Sequence, residues 1–303
     1  MGNENQNVTP ETVQFNLSDF ALFLTVMKHR EAYESTLSII TENPDLKLKE
    51  VHVEEVILNR SGKRAIRLDA WALDTENRQY AAEMQNDTDS DDIRKRARFY
   101  QGLIDSPILK SGKRTKYRHL PSTMIIFITQ EDIFGQDLAK YTFTEQCEEI
   151  AGMHLEDGTT KVFLNMSSKN GTPELVSLLQ YMKDTTLENP NIIVKDKRIL
   201  KLAEIVEEVK QSEEWEAIHT SIYSMGIKKG REEGRTEGLT QGITTGTLRG
   251  KAQSVLELLA ELGSIPPETE HKINNETDPA VLSSWLKTAA RADSIESFIR
   301  EMN

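Results

Sequence analysis

The chain has 303 residues, with 37 Lys and Arg against 49 Asp and Glu, so its formal net charge is −12. That balance excludes a general nucleic-acid coat, which carries excess positive charge along its whole length, but leaves room for a local basic site. A hydrophobic content of 37% allows a lean core in one large or two small domains, and the single cysteine, Cys147, excludes an intramolecular disulfide and fits a reducing, cytoplasmic setting.

Residues 1–14 read as a polar, mobile tail with neither a basic start nor an apolar core, so no secretory signal is expected. Ser18 is a candidate cap for a helix over residues 18–41, where Phe20, Phe23, Leu24, Met27, Leu37 and Ile40 recur at mostly helical spacing and Asn43-Pro44 stops it. Residues 51–58 read as a strand and 59–62 as a turn. Residues 66–73 alternate, which puts Ile66, Leu68 and Ala70 on one face and Arg67, Asp69 and Trp71 on the other. A turn at 74–78 leads to a third strand over Gln79–Gln85. A helix starting at Ser90 or Asp91 ends near Asp105-Ser106-Pro107. Thr123–Thr129 is a continuous apolar run, as expected of a strand buried on both faces. A short strand at 161–165 and a helix opened by Pro173 complete an α/β domain over about 15–185.

Residues 186–225 are helical and charged in pattern. Gly226, Gly230, Gly234, Gly238, Gly242, Gly246 and Gly250 then recur every fourth residue. On a helix they form a slowly wrapping stripe that costs about 7 kcal/mol against alanine, which only close packing with another helix would offset. That reading implies a homo-oligomer. The other reading is a flexible polar linker. Residues 251–303 form a small helical module. The apolar runs fall far short of the ~20 residues a membrane span needs, and the scattered histidines offer no zinc site.

Two features carry chemistry. In a hairpin centred on Glu76, Asp69 falls opposite Glu83, and Glu83 and Gln85 project from one face of their strand. Facing carboxylates repel unless a divalent cation lies between them, and Mg²⁺ takes one or two carboxylates with water and phosphate oxygens. The alternative is a pair of ordinary solvated residues on an exposed sheet face. The second feature is residues 94–118, with nine basic residues and only Asp105 acidic. Arg94 and Arg98 share one helical face, and Arg96 and Tyr100 another. Such a segment suits phosphate contacts, or is a solvated face offset by Asp87, Asp89, Asp91 and Asp92.

The ordered set GKRAIRLDAWALD, YAAEMQ, RARFY, LPSTMIIFITQEDIFG and YTFTEQC resembles the recombination-promoting nuclease (Rpn) and transposase family of the PD-(D/E)XK nuclease superfamily, over about residues 18–165. The resemblance implies a restriction-endonuclease-like αβββαβ core with a helical C-terminal extension. It implies a metal-dependent DNA endonuclease with Asp69, Glu83 and Gln85 as catalytic residues. Mg²⁺ or Mn²⁺ would be held by Asp69, Glu83 and the Met84 carbonyl, with Glu31 or Glu34 as a further carboxylate from the first helix. Double-stranded DNA would be contacted by Arg94, Arg96, Arg98, Tyr100, Lys113, Arg114 and Lys116. The superfamily usually has Lys where this chain has Gln85. Glutamine supplies no positive charge, though it can orient a water through its amide and carbonyl. A catalytically weak or inactive DNA-binding or interaction protein on the same fold is therefore the second reading. Strand transfer and an RNA substrate remain open.

Overall fold

A computed structural model describes residues 14–59, 63–88, 91–109 and 116–302. The N-terminal compact unit runs to Thr220. It holds α1 (Phe20–Met27), α2 (Arg30–Ile40), β1 (Leu48–Ile57), β2 (Ile66–Asp74), β3 (Gln79–Gln85), α3 (Ile93–Asp105), β4 (Thr123–Thr129), β5 (Lys140–Phe143), β6 (Thr159–Asn165), α4 (Pro173–Lys183) and α5 (Lys197–Lys210). The six strands form one mixed sheet in the order β1-β2-β3-β4-β6-β5. The meander β1-β2-β3 is antiparallel, and β4 and β6 then join β3 in parallel.

Both faces of the sheet are covered. Ala70, Ala82, Met84 and Ile126 pack with α1, α2, α4 and α5 in one core. Leu68, Ala81, Ile125 and Phe127 pack with Ala97, Tyr100 and Ile104 of α3 in a second. This explains the apolar run of β4, whose odd and even residues serve different layers. The first core does not stop at the expected boundary near 185, because α5 contributes Ile199, Leu202, Val206 and Val209 to it.

The expected single first helix is two. Lys28 ends α1, and His29 turns extended (φ −78°, ψ 115°) to start α2. The His29 carbonyl accepts from the N–H groups of Ala32 and Tyr33, so the chain restarts a helix with its apolar residues still facing the sheet. Ser18 is not the cap. Its backbone N–H donates to the Met182 carbonyl, and Asp19 precedes the first turn. Asp92, rather than Asp91, caps α3 by accepting from Arg94 and Lys95 N–H, and Ser90 lies outside the described residues. Strand β5, an edge strand antiparallel to β6, was not anticipated. Four residues with one exposed end give too little alternation to read.

The largest departure lies in β2. The expected alternation breaks at Asp69: Ile66 and Leu68 face α3, but Ala70 and Ala72 face the opposite core. The β2–β3 pairing runs from Ala70↔Ala82 to Leu73↔Gln79, and Asp69 lies just beyond it. On the other side, β1 pairs Val53 with Ala70 and Glu55 with Leu68, skipping the Glu54–Asp69 position. Glu54 there has φ 52°, a left-handed conformation that costs a non-glycine residue about 1–2 kcal/mol. The two strands change face together, which frees the backbone of Asp69 for other partners.

From Ser221 a second compact unit follows. It takes in most of α6 (Glu213–Leu262), then α7 (Pro267–Asn274), α8 (Pro279–Ala289) and α9 (Ile295–Met302). Val255, Leu259, Ile273, Leu282, Trp285 and Phe298 make its own core. The glycine-repeat segment lies within α6, so it is helical rather than an unstructured linker. A Cβ added at any of its seven glycines meets nothing within 4 Å. Residues 1–13, expected to be a tail, lie outside the described residues.

Candidate functional site

The change of face at Asp69, made without a change of register, builds the site. The Asp69 N–H donates to Glu83 Oε1 at 2.9 Å, and the Met84 N–H donates to Asp69 Oδ2 at 3.0 Å. Each carboxylate thus replaces a ladder partner for the other strand, and the two are clasped where the β2–β3 pairing ends. Glu83 is fully buried and Asp69 is 7% exposed. The alternative of a solvated pair on an exposed face is therefore corrected: both residues are buried.

Arg96 reaches them from α3. Its Nη2 donates to Glu83 Oε2 at 2.8 Å, its Nη1 to Gln85 Oε1 at 2.7 Å, and its Nε and Nη2 to the Tyr100 hydroxyl at 2.9 and 2.7 Å. The guanidinium lies 5.0 Å from the Tyr100 ring centroid and 5.5 Å from that of Phe127. The i,i+4 spacing of Arg96 and Tyr100 sets both on one helix face, and Asp92 fixes where that helix starts.

One guanidinium faces two carboxylates, and the balance shows in their proton affinities. Burial, then the Asp69 charge, pushes the Glu83 pKa well above the carboxylate range. Burial also raises Asp69, against the opposing pull of the Met84 N–H and Arg96. Burial works against the charge on Arg96, but Tyr100 and Glu83 hold its pKa above the ordinary arginine value. Such a pair is short of positive charge in a low-dielectric setting.

The remaining expected residues are placed as follows. Gln85 is engaged at both ends, its carbonyl by Arg96 and its amide by the Asp87 carbonyl. The expectation that it orients a water through both groups therefore does not fit this geometry. Neither first-helix carboxylate joins the pair. Glu31 pairs with Lys201 at 3.4 Å, and Glu34 accepts from Lys47 Nζ at 2.5 Å and from the Leu48 N–H at 2.9 Å. Leu48 is the partner of Asp74, five residues along β2 from Asp69 or roughly 17 Å. The residue α2 does send toward the site is Tyr33, whose hydroxyl donates to the Ala70 carbonyl at 3.1 Å. Burial and the Glu83 charge raise its pKa well above the usual phenol value. In the sequence, its helical spacing with Leu37 does not set it apart from a core residue. Arg94 and Lys95 pair with Asp92 at 3.4 and 3.2 Å, while Arg98 and Lys116 are exposed. Lys113 and Arg114 lie outside the described residues.

The donor set suits a hard divalent cation: two carboxylates supply the charge, and the remaining positions fall to water and phosphate oxygens. A strand residue sends its N–H and C=O to the same side, so the Met84 carbonyl also faces the end of the β2–β3 ladder. Among the described residues no group of three or more His, Cys, Asp and Glu side chains is gathered to hold a metal ion. Compared with known proteins, the chain matches no family model, no curated protein and no solved structure. No described helix is long and apolar enough to cross a membrane.

Proposed function

We propose that the chain is a metal-dependent DNA endonuclease with a restriction-endonuclease-like core, of the recombination-promoting nuclease type. The observation that carries this is the buried, reciprocally clasped Asp69–Glu83 pair at the end of the β2–β3 ladder. The arrangement around it supports the same reading: a three-strand meander, a crossover helix rich in arginine, and a parallel buried strand.

Asp69, Glu83 and the Met84 carbonyl would hold Mg²⁺ or Mn²⁺. The chemistry supplied by the bound ion is activation of a water and polarisation of the scissile phosphate. The protein's own part is placement. The two backbone N–H groups fix the carboxylates, and burial keeps water from competing for them. Arg94 and Arg98, on the exposed face of α3, contact flanking phosphates of a duplex. In the hydrolysis the water oxygen forms the new P–O bond, the bridging P–O bond breaks, and the leaving oxygen takes up a proton.

The test is cleavage of supercoiled plasmid with Mg²⁺ or Mn²⁺ by the full chain, Asp69→Asn and Glu83→Gln. Both variants are expected to lose roughly 100-fold or more of the rate. Equal cleavage by all three would overturn the site.

A second reading is a DNA-binding or interaction protein without useful catalysis. The observation favouring it is the engagement of Gln85 at both ends, with no lysine at that position. It expects binding that weakens steeply with salt and no metal-dependent cleavage.

A further inference from the structure

We propose that Arg96 is itself a catalytic residue: its guanidinium meets a non-bridging oxygen of the scissile phosphate and supplies the positive charge that Gln85 does not. This rests on Asp69 and Glu83 being the hydrolytic site.

Three observations carry it. The first is position. Arg96 bonds at once to Glu83 and to Gln85, so its charge sits beside residue 85, where a strand-borne cation is missing. The second is capacity. A guanidinium has five N–H groups. Four are used on Glu83, Gln85 and Tyr100, leaving one on Nη1. The side chain is 26% exposed while the Glu83 side chain it bonds is 1% exposed, so Arg96 reaches solvent from the buried carboxylate. The third is rigidity. The rings of Tyr100 and Phe127 and the double contact with the Tyr100 hydroxyl restrict its rotation. A planar cation held in one orientation matches phosphate oxygens better than a flexible ammonium, and fixed donors need no reorganisation as charge develops.

Arg96 keeps its proton throughout. Its remaining Nη1 N–H donates a hydrogen bond to an oxygen whose negative charge grows as the water oxygen adds to phosphorus and the bridging bond breaks. A purely structural Arg96 would instead serve only to neutralise and hold Glu83.

The experiment uses the full chain as wild type, Arg96→Met, Arg96→Lys, Gln85→Lys and the Arg96→Met/Gln85→Lys double variant. Plasmid cleavage is measured at saturating Mn²⁺, and Mn²⁺ binding is measured separately by electron paramagnetic resonance. Arg96→Met is expected to lose roughly 100- to 1,000-fold in kcat while binding Mn²⁺ at least as tightly as wild type, since a competing cation has left Glu83. Arg96→Lys retains part of the rate and shows that the site tolerates the change. The double variant regains at least about tenfold, because the charge returns from the strand side. A double variant no faster than Arg96→Met overturns the proposal, as does joint loss of Mn²⁺ binding and cleavage in Arg96→Met, which marks a residue that only positions Glu83. Unchanged cleavage in Arg96→Met overturns the proposal alone. A wild type that binds no Mn²⁺ overturns the carboxylate site and this proposal with it.

Discussion

At the scale of single residues, the carboxylate pair is where burial and charge disagree. Both Asp69 and Glu83 have folded-state pKa values above those of the unfolded chain, chiefly through burial. A carboxyl raised in this way favours folding while it is protonated, and that contribution is lost as the pH rises through the raised value. Without divalent metal, the wild type is therefore expected to lose stability from the ordinary carboxylate range, around pH 4, up through neutrality. Glu83→Gln keeps an acceptor for the Asp69 N–H and removes one of the charges, so its stability profile is flatter and crosses above wild type at the alkaline end. Thermal unfolding in a chelating buffer reads this as a difference on the order of a few degrees. A wild type that gains stability steadily over the same range would contradict it. If the pair holds Mn²⁺ as proposed, adding the ion restores the wild type and leaves Glu83→Gln behind, because a ligand that binds only the folded form stabilises it by mass action. The opposition of Asp69 and Glu83 was legible from the hairpin centre at Glu76, since the observed pairs Ala70↔Ala82 and Trp71↔Ala81 keep that register. The shared helix face of Arg96 and Tyr100 was legible too, but the direct bond from Arg96 to Glu83 was not, because where a helix lays an arginine on a sheet depends on packing between distant segments. Nor were the partners of Glu31 and Glu34, which pair with Lys201 and Lys47 on distant segments.

At the scale of elements, spacing located β3 and β4 to the residue and the start of α4, since β3 follows a clear turn, β4 is a continuous apolar run and α4 opens on a proline. It missed features that depend on a partner strand or on a change of backbone conformation within an apparently regular pattern. The face change at Asp69 needs β1 to follow, which it does through the left-handed Glu54. No periodicity in β2 alone would announce that. The glycine repeat shows the same limit from the other side. Glycine is so permissive that its pattern fits either a helix or a linker, and only the structure selects α6. Within α6 each of these glycines has open space around its missing Cβ. Replacing Gly234, Gly238 and Gly242 by alanine is therefore expected to add about 1 kcal/mol of helix stability each, seen as higher helicity by circular dichroism and a higher unfolding temperature. If the stripe instead faces a second copy of the chain, as the sequence suggested, the same variants lose association in sedimentation and gain nothing in stability.

At the scale of the whole molecule, the cores sort the chain more firmly than composition does. The carboxylate site belongs to the unit ending at Thr220, built on two cores that flank the sheet. The second unit has a separate core and no member of the site. The expected boundary near 185 followed the last strand and helix of the α/β pattern. It missed α5, because a charged amphipathic helix reads as solvent-facing until the sheet's partner layer is known. The fully buried side chain of Phe298 is the natural probe of this division. Phe298→Ala removes a large ring from a small core and is expected to cost about 3–5 kcal/mol there. Cores with no residue in common give each unit its own cooperativity. Calorimetry should then show the transition of the C-terminal unit shifted down or lost, while a second transition, and the Mn²⁺ affinity of the Asp69–Glu83 pair, stay where they were. One transition that shifts as a whole would mean that α6 transmits folding between the units.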